Sequence, residues 1–253
     1  MTPGWAGQGG PAGRMADVQS TSPGQLWHEI VSAEPLPPRL LVLACCVTAL
    51  ILVGSRRLWP VTRTVVTIAH EGGHALVALA VGRRLEGVRV HRSTAGLTVS
   101  AGSASGPGIV ATAAAGYLAP PLLGLGTAAL LASGHLVAAL LLTLVLLACL
   151  VFMVRNAYGL LAVFSVAAAV AFVLWRGAPL LQAAFGYAMA WFLLLGGVRP
   201  VLELQRSRRR GRAGRSDADQ LARLTGLPAG AWIVLFAMVS LGALGLSAFW
   251  LVA

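Results

Sequence analysis

Along most of this chain apolar residues do not alternate with polar ones; they run on. Seven apolar stretches stand out, at 39–54, 61–82, 109–133, 135–153, 157–175, 178–197 and 229–252. A helix needs about 20 apolar residues to cross a bilayer, with a range of about 17 to 25. Each stretch is therefore expected to be a span. The first is the shortest, and the third carries Pro120 and Pro121 in its interior. Two polar stretches interrupt the series, 83–108 and 198–228. In the first, "VRVHRSTAGLTVS" places two short β-branched runs around Ser93–Gly96, which predicts a β-hairpin over 88–100. The expected fold class is all-α: a polytopic transmembrane helical bundle of about seven spans with one small hairpin. Residues 1–37, rich in Gly, Pro, Ser and Ala, lack an ordinary signal-peptide pattern and too little of them is apolar to build a core. They are expected to be a disordered tail, leaving 38–253 as the membrane-embedded domain.

Composition agrees. Of 253 residues, 57% are hydrophobic and 11% charged, against about 25% charged in soluble domains. The net charge is +11, and all 19 basic residues are Arg. A basic balance suits nucleic acid or a membrane surface. Here the arginines cluster between apolar segments, and "RSRRRGRAGR" at 206–215 has no aromatics for bases to stack on. It reads as a topology anchor and anionic-lipid contact, with no nucleic acid as partner. The positive-inside rule puts 198–228 in the cytoplasm. With seven spans, 83–108, Arg155 and the N-terminus share that side, while Arg56, Arg57 and Arg63 fall opposite. Cys45, Cys46 and Cys149 lie within apolar runs and are expected to be buried small hydrophobes.

The chemistry concentrates in "IAHEGGHAL" at 68–76. His70 and His74 are four residues apart, an offset that returns to the same helix face one turn on. Both imidazoles can reach one metal ion, and Glu71 sits about a quarter turn away. This is the H-E-x-x-H arrangement of two zinc ligands and a general base for peptide-bond hydrolysis. The plainer alternative is polar pairing between membrane helices. Against it, an acid at the bilayer centre costs about 2.5–3.5 kcal/mol and is usually kept for function. Gly72 and Gly73 each cost about 1 kcal/mol in a helix interior, so close packing is expected against that face.

The run "AHEGGHALVALAVGRRL", followed by "GYLAPPLLG" at 116–124, "RNAYGLL" at 155–161 and "SDADQLARLTGLP" at 216–228, resembles the site-2 protease family of intramembrane zinc metallopeptidases, and more narrowly a bacterial branch of it. The resemblance implies Zn2+, membrane-protein substrates such as an anti-sigma factor, and a place in the bacterial plasma membrane. It also implies a small sheet near the membrane surface that holds substrate extended. It further implies a third metal ligand, usually Asp in an L-D-G motif. This chain has no L-D-G, and Asn156, similar to an asparagine before that motif, is followed by no Asp of that kind. After Glu71 the acids are Glu86, Glu203, Asp217 and Asp219. Glu203 can instead pair with Arg199 or Arg206. Ser216 is a good N-cap, and Asp217 and Asp219 suit a helix start, so capping competes with ligation for both. The resemblance favours Asp217, with Asp219 second; either needs the loop to fold back on the motif helix. Asn156 is expected to bind a substrate carbonyl or cap the fifth span. Tyr117 is expected to pack ordinarily, and His91 and His135 to face solvent or interface. The rival to a protease is a catalytically inactive scaffold that binds a membrane partner, and a metal transporter ranks third.

Overall fold

The structure, a computed structural model, describes residue 24 and residues 32–90, 97–211 and 216–252. Most of the expected N-terminal tail with His28, the hairpin turn with His91 and Ser93–Gly96, and 212–215 of the arginine run lie outside the described residues. In chain order the elements are helices α1 (Arg39–Gly54) and α2 (Trp59–Ala80), strands β1 (Arg84–Arg89) and β2 (Leu97–Ala101), then helices α3 (Pro107–Ala132), α4 (Leu136–Val151), α5 (Ala157–Arg176), α6 (Pro179–Arg209), α7 (Asp217–Thr225) and α8 (Ala229–Val252).

The described chain is mostly helical, with one two-stranded antiparallel sheet. Four helices, α3, α5, α6 and α8, are long and apolar enough to cross a membrane, and the count reaches five if α1 and α2 together form one broken span. The expected count of seven is not reached, for two reasons. α1 and α2 meet at a 103° bend, where Ser55 Oγ accepts from the amides of Arg57 and Leu58 and Pro60 opens α2. α4 has 16 residues, about 24 Å of helix against about 30 Å of hydrocarbon. The sixth apolar stretch runs on through Pro200 into the arginines as one helix of 31 residues.

Small residues set the distances in the interior. The α3 run Thr112–Gly116 is buried and α2 lies on it. A Cβ at Gly73 would come 2.8 Å from the Ala115 carbonyl oxygen, so the close approach expected from the two glycines is met by the α3 backbone. Pro121 stays inside α3 and fills the space left by Gly197 of α6, where a Cβ would lie 2.8 Å from its ring. At the α1–α2 bend, Arg199 of α6 donates to the Val53 carbonyl at the end of α1. Its guanidinium sits 4.6 Å from the Trp59 ring centroid and its Nε is 2.9 Å from Glu203. Glu203 thus pairs with Arg199, and at 3.7 Å with Arg63. Cys45 is buried as expected, but Cys149 is exposed, because α4 turns it outward.

The sheet begins earlier than expected, at Arg84. In register, Val88 faces Thr98 and Arg89 faces Leu97. The other edge of β1 is also held. Val88 N–H donates to Met153 O (2.9 Å) and Arg155 N–H to Val88 O (2.8 Å). Asn156 then grips Val90 twice, accepting from its amide (3.0 Å) and donating to its carbonyl (2.7 Å). Asn156 is the N-cap residue of α5 by position, yet its side chain makes no capping bond; it serves the sheet instead.

Candidate metal centre

α2 brings His70 and His74 together as the spacing requires, their Nε2 atoms 3.2 Å apart. The third member comes from the polar loop. α6 projects beyond the apolar bundle, and α7 turns back under its own caps. Ser216 Oγ accepts from the Asp219 amide (3.3 Å), and Asp219 Oδ2 accepts from the Ser216 amide (3.1 Å), a reciprocal capping box. Asp219 also pairs with Arg208 at the end of α6. Gly226 ends α7 in the left-handed conformation (φ 76°). Ala218 and Leu221 are buried with Ala113, Ala114, Val201, Ile233 and Phe236, which fixes the helix against α3, α6 and α8.

That placement separates the two aspartates. Asp219 is consumed by capping. Asp217, at the first position of α7, points to the histidines: Oδ2 is 3.2 Å from His70 Nε2 and 3.3 Å from His74 Nε2. Burial works to raise the Asp217 carboxyl, but the two imidazoles packed against it outweigh burial and hold it below the usual carboxylate range. Glu203 is engaged by arginines, and Glu86 is exposed on β1, so neither joins the group. Among the described residues, His70, His74 and Asp217 form the cluster able to hold a metal ion.

The donor set fits zinc. Two imidazoles and a carboxylate leave a fourth position open, as catalytic zinc sites do, and a tetrahedron with bonds of about 2.0–2.1 Å has edges of about 3.3 Å. The three donor atoms stand at that spacing. The outer nitrogen of His74 is committed: Nδ1–H donates to the Thr112 carbonyl at 2.7 Å. This fixes the tautomer and turns the Nε2 lone pair toward the cluster. Gly116 leaves room for both rings; a Cβ there would lie 2.5 Å from His74 Cε1 and 2.6 Å from His70 Cε1. Tyr117 stands edge-on to His70 at 5.0 Å and stacks on Phe236, so the packing expected of it is packing against a site residue.

Glu71, the quarter turn away, faces β2 and is 3% exposed. Its Oε2 accepts a 2.5 Å hydrogen bond from Thr98 Oγ1. Sequence reasoning passed over Thr98, Thr112 and Gly116. The signals were faint: an alternating "LTVSA", one hydroxyl in an alanine run, and one glycine beside Tyr117. His135 lies at the α4 start, bonded to Ser133, away from this site.

The sequence profile of the family described as Peptidase M50B-like matches residues 43–247. The chain belongs to that family. The match runs from within α1 to within α8 and includes His70, Glu71, His74 and Asp217. Membership of the Peptidase M50B-like family, with several apolar helices, makes this an integral membrane protein of metallopeptidase type. No curated protein and no solved structure matches the chain.

Proposed function

We propose that the protein is a zinc-dependent endopeptidase that hydrolyses peptide bonds of membrane proteins within or beside the bilayer. The observation that supports it most is the meeting of His70, His74 and Asp217 at tetrahedral-edge distances beside a buried Glu71. In this reading those three residues hold Zn2+, and Glu71 is the general base. When bound, zinc supplies a Lewis acid for the scissile carbonyl and a more acidic water. Glu71 takes the proton of the attacking water and returns it to the departing amine. The Thr112 carbonyl keeps His74 in the ligating tautomer. α3 and α7 pack beside the cluster, and the side chains of His70 and Asp217 each stay about 22% exposed, which leaves the attacking water a way in.

A helical peptide hides its carbonyls in hydrogen bonds, so a substrate must be extended to react. β1 is paired on both edges, whereas β2 has a strand partner on one side only among the described residues. Its free edge is where an extended substrate segment would add. The remaining apolar helices, α1, α2 and α4, complete the proposed seven-segment domain over 38–253. Arg206 and Arg209, exposed on α6, suit contact with anionic lipid, while Arg208 is held by Asp219.

The test uses full-length protein in detergent with β-casein as an unfolded probe. Glu71→Gln is expected to keep its zinc and to slow cleavage by at least about 100-fold. Equal cleavage by the variant and the wild type overturns the assignment of Glu71. A wild type that binds zinc and cleaves nothing favours the inactive scaffold.

A further inference from the structure

We propose that Thr98 is a positioning residue for Glu71, and that through it the hairpin sets the orientation of the general base. The inference rests on the reading of Glu71 just given, and goes beyond it by adding a residue from outside the H-E-x-x-H helix.

Within β2 side chains alternate. Leu97 and Val99 are exposed, while Thr98 and Ser100 turn inward. The inward pair is used. Ser100 Oγ accepts from Arg83 Nε at 3.2 Å, tying the strand to the end of α2. Thr98 Oγ1 reaches Glu71, with the carboxylate Oε2 at 2.5 Å and the backbone carbonyl at 3.3 Å. A hydroxyl carries one proton, so the short contact to the carboxylate is the bond and the longer one a secondary approach.

A carboxylate on a helix has two free side-chain torsions before its terminal rotation. A general base works only when its oxygen is within about 2.6–3.2 Å of the proton it removes. Engaging Oε2 with Thr98 leaves Oε1 as the oxygen free to act and fixes the carboxylate plane. Thr98 itself is held from behind. It pairs in register with Val88 of β1, and Val88 is bonded to Met153 and Arg155 while Val90 is gripped by Asn156. The hydroxyl is therefore anchored by a stack of three backbone segments. The same β2 backbone carries the edge that has no strand partner among the described residues, so a peptide that adds there shares a strand with the residue that aims the base.

Two measurements test this on the full chain in detergent. The first needs no substrate: thermal unfolding of Thr98→Val, Glu71→Ala and the double variant. The proposal expects the two substitutions to be coupled, with Thr98→Val lowering the melting temperature in the wild type and having little effect once Glu71 is gone. Additive shifts overturn it. The second reads turnover of β-casein, which a merely structural contact would not move selectively. Thr98→Val is expected to retain zinc and KM and to lower kcat by about tenfold or more, with Thr98→Ser restoring it. A zinc-loaded Thr98→Val protein with wild-type kcat overturns the proposal while leaving the protease reading intact. If the wild type holds zinc but cleaves no casein, the protease reading fails and the coupling measurement alone decides whether Thr98 holds Glu71.

Discussion

Asp217 Oδ2 lies 3.2 Å from His70 Nε2, although one residue opens a short helix in the last polar loop and the other sits in the first half of the chain. Asp219, two positions on, points away and closes the cap of that helix. The two aspartates should therefore respond differently. Asp217→Ala removes a donor and is expected to weaken zinc binding by more than about 100-fold, since even residues that only support a ligand are worth 10–100-fold. Asp219→Asn, which keeps an acceptor for the Ser216 amide, should bind zinc nearly as the wild type does. Competition with a chelator of known affinity measures both.

Gly116 gives a steric test of the same centre. A methyl group there would stand 2.5 Å from His74 Cε1 and 2.6 Å from His70 Cε1, and nearer still to His74 Nε2, closer than unbonded atoms tolerate. Gly116→Ala is expected to displace the rings and lower zinc affinity by about 10- to 100-fold, with helical content unchanged by circular dichroism.

Gly73 faces the other way, toward the α3 backbone, where a Cβ would be 2.8 Å from the Ala115 carbonyl oxygen. Gly73→Ala should cost about 1–3 kcal/mol as an overpacking change. Gly72→Ala, whose Cβ would meet only Leu150 at an ordinary 3.7 Å, should be neutral or stabilising. Thermal unfolding of the two in the same detergent separates them.

Much of this was readable in the sequence and some was not. The helices came from long apolar runs, and the His70–His74 pairing came from their spacing, since both are properties of one local segment. What failed depended on segments meeting. Nothing in 39–54 or 61–82 announces a 103° bend, and treating them as two clean crossings left Arg56, Arg57 and Arg63 on the unexpected side. In the structure Arg63 faces Glu203, so its place answers to a partner as well as to topology. The choice between Asp217 and Asp219 stayed open for the same reason. Both suit a helix start, and only the way α7 docks on Ala113, Ala114 and Phe236 decides which one caps and which one turns inward.

Asn156 was expected to meet substrate or cap α5, yet it grips Val90 through both side-chain atoms. Asn156→Ala removes two hydrogen bonds, one from each side of the amide, at about 1 kcal/mol each. Hydrogen exchange should then quicken at 84–90 and 97–101 while α6 and α8 keep their protection. Unchanged exchange in the hairpin would remove Asn156 from its support.

Peptide-bond hydrolysis at this centre requires that the two imidazoles and Asp217 hold a metal. The direct measurement is the zinc content of the purified full-length protein beside His70→Ala and Asp217→Ala, each confirmed as folded. About one zinc per chain in the wild type, lost from both variants, is the predicted result. A wild type without bound metal after zinc loading, or variants that keep a full equivalent, would contradict it.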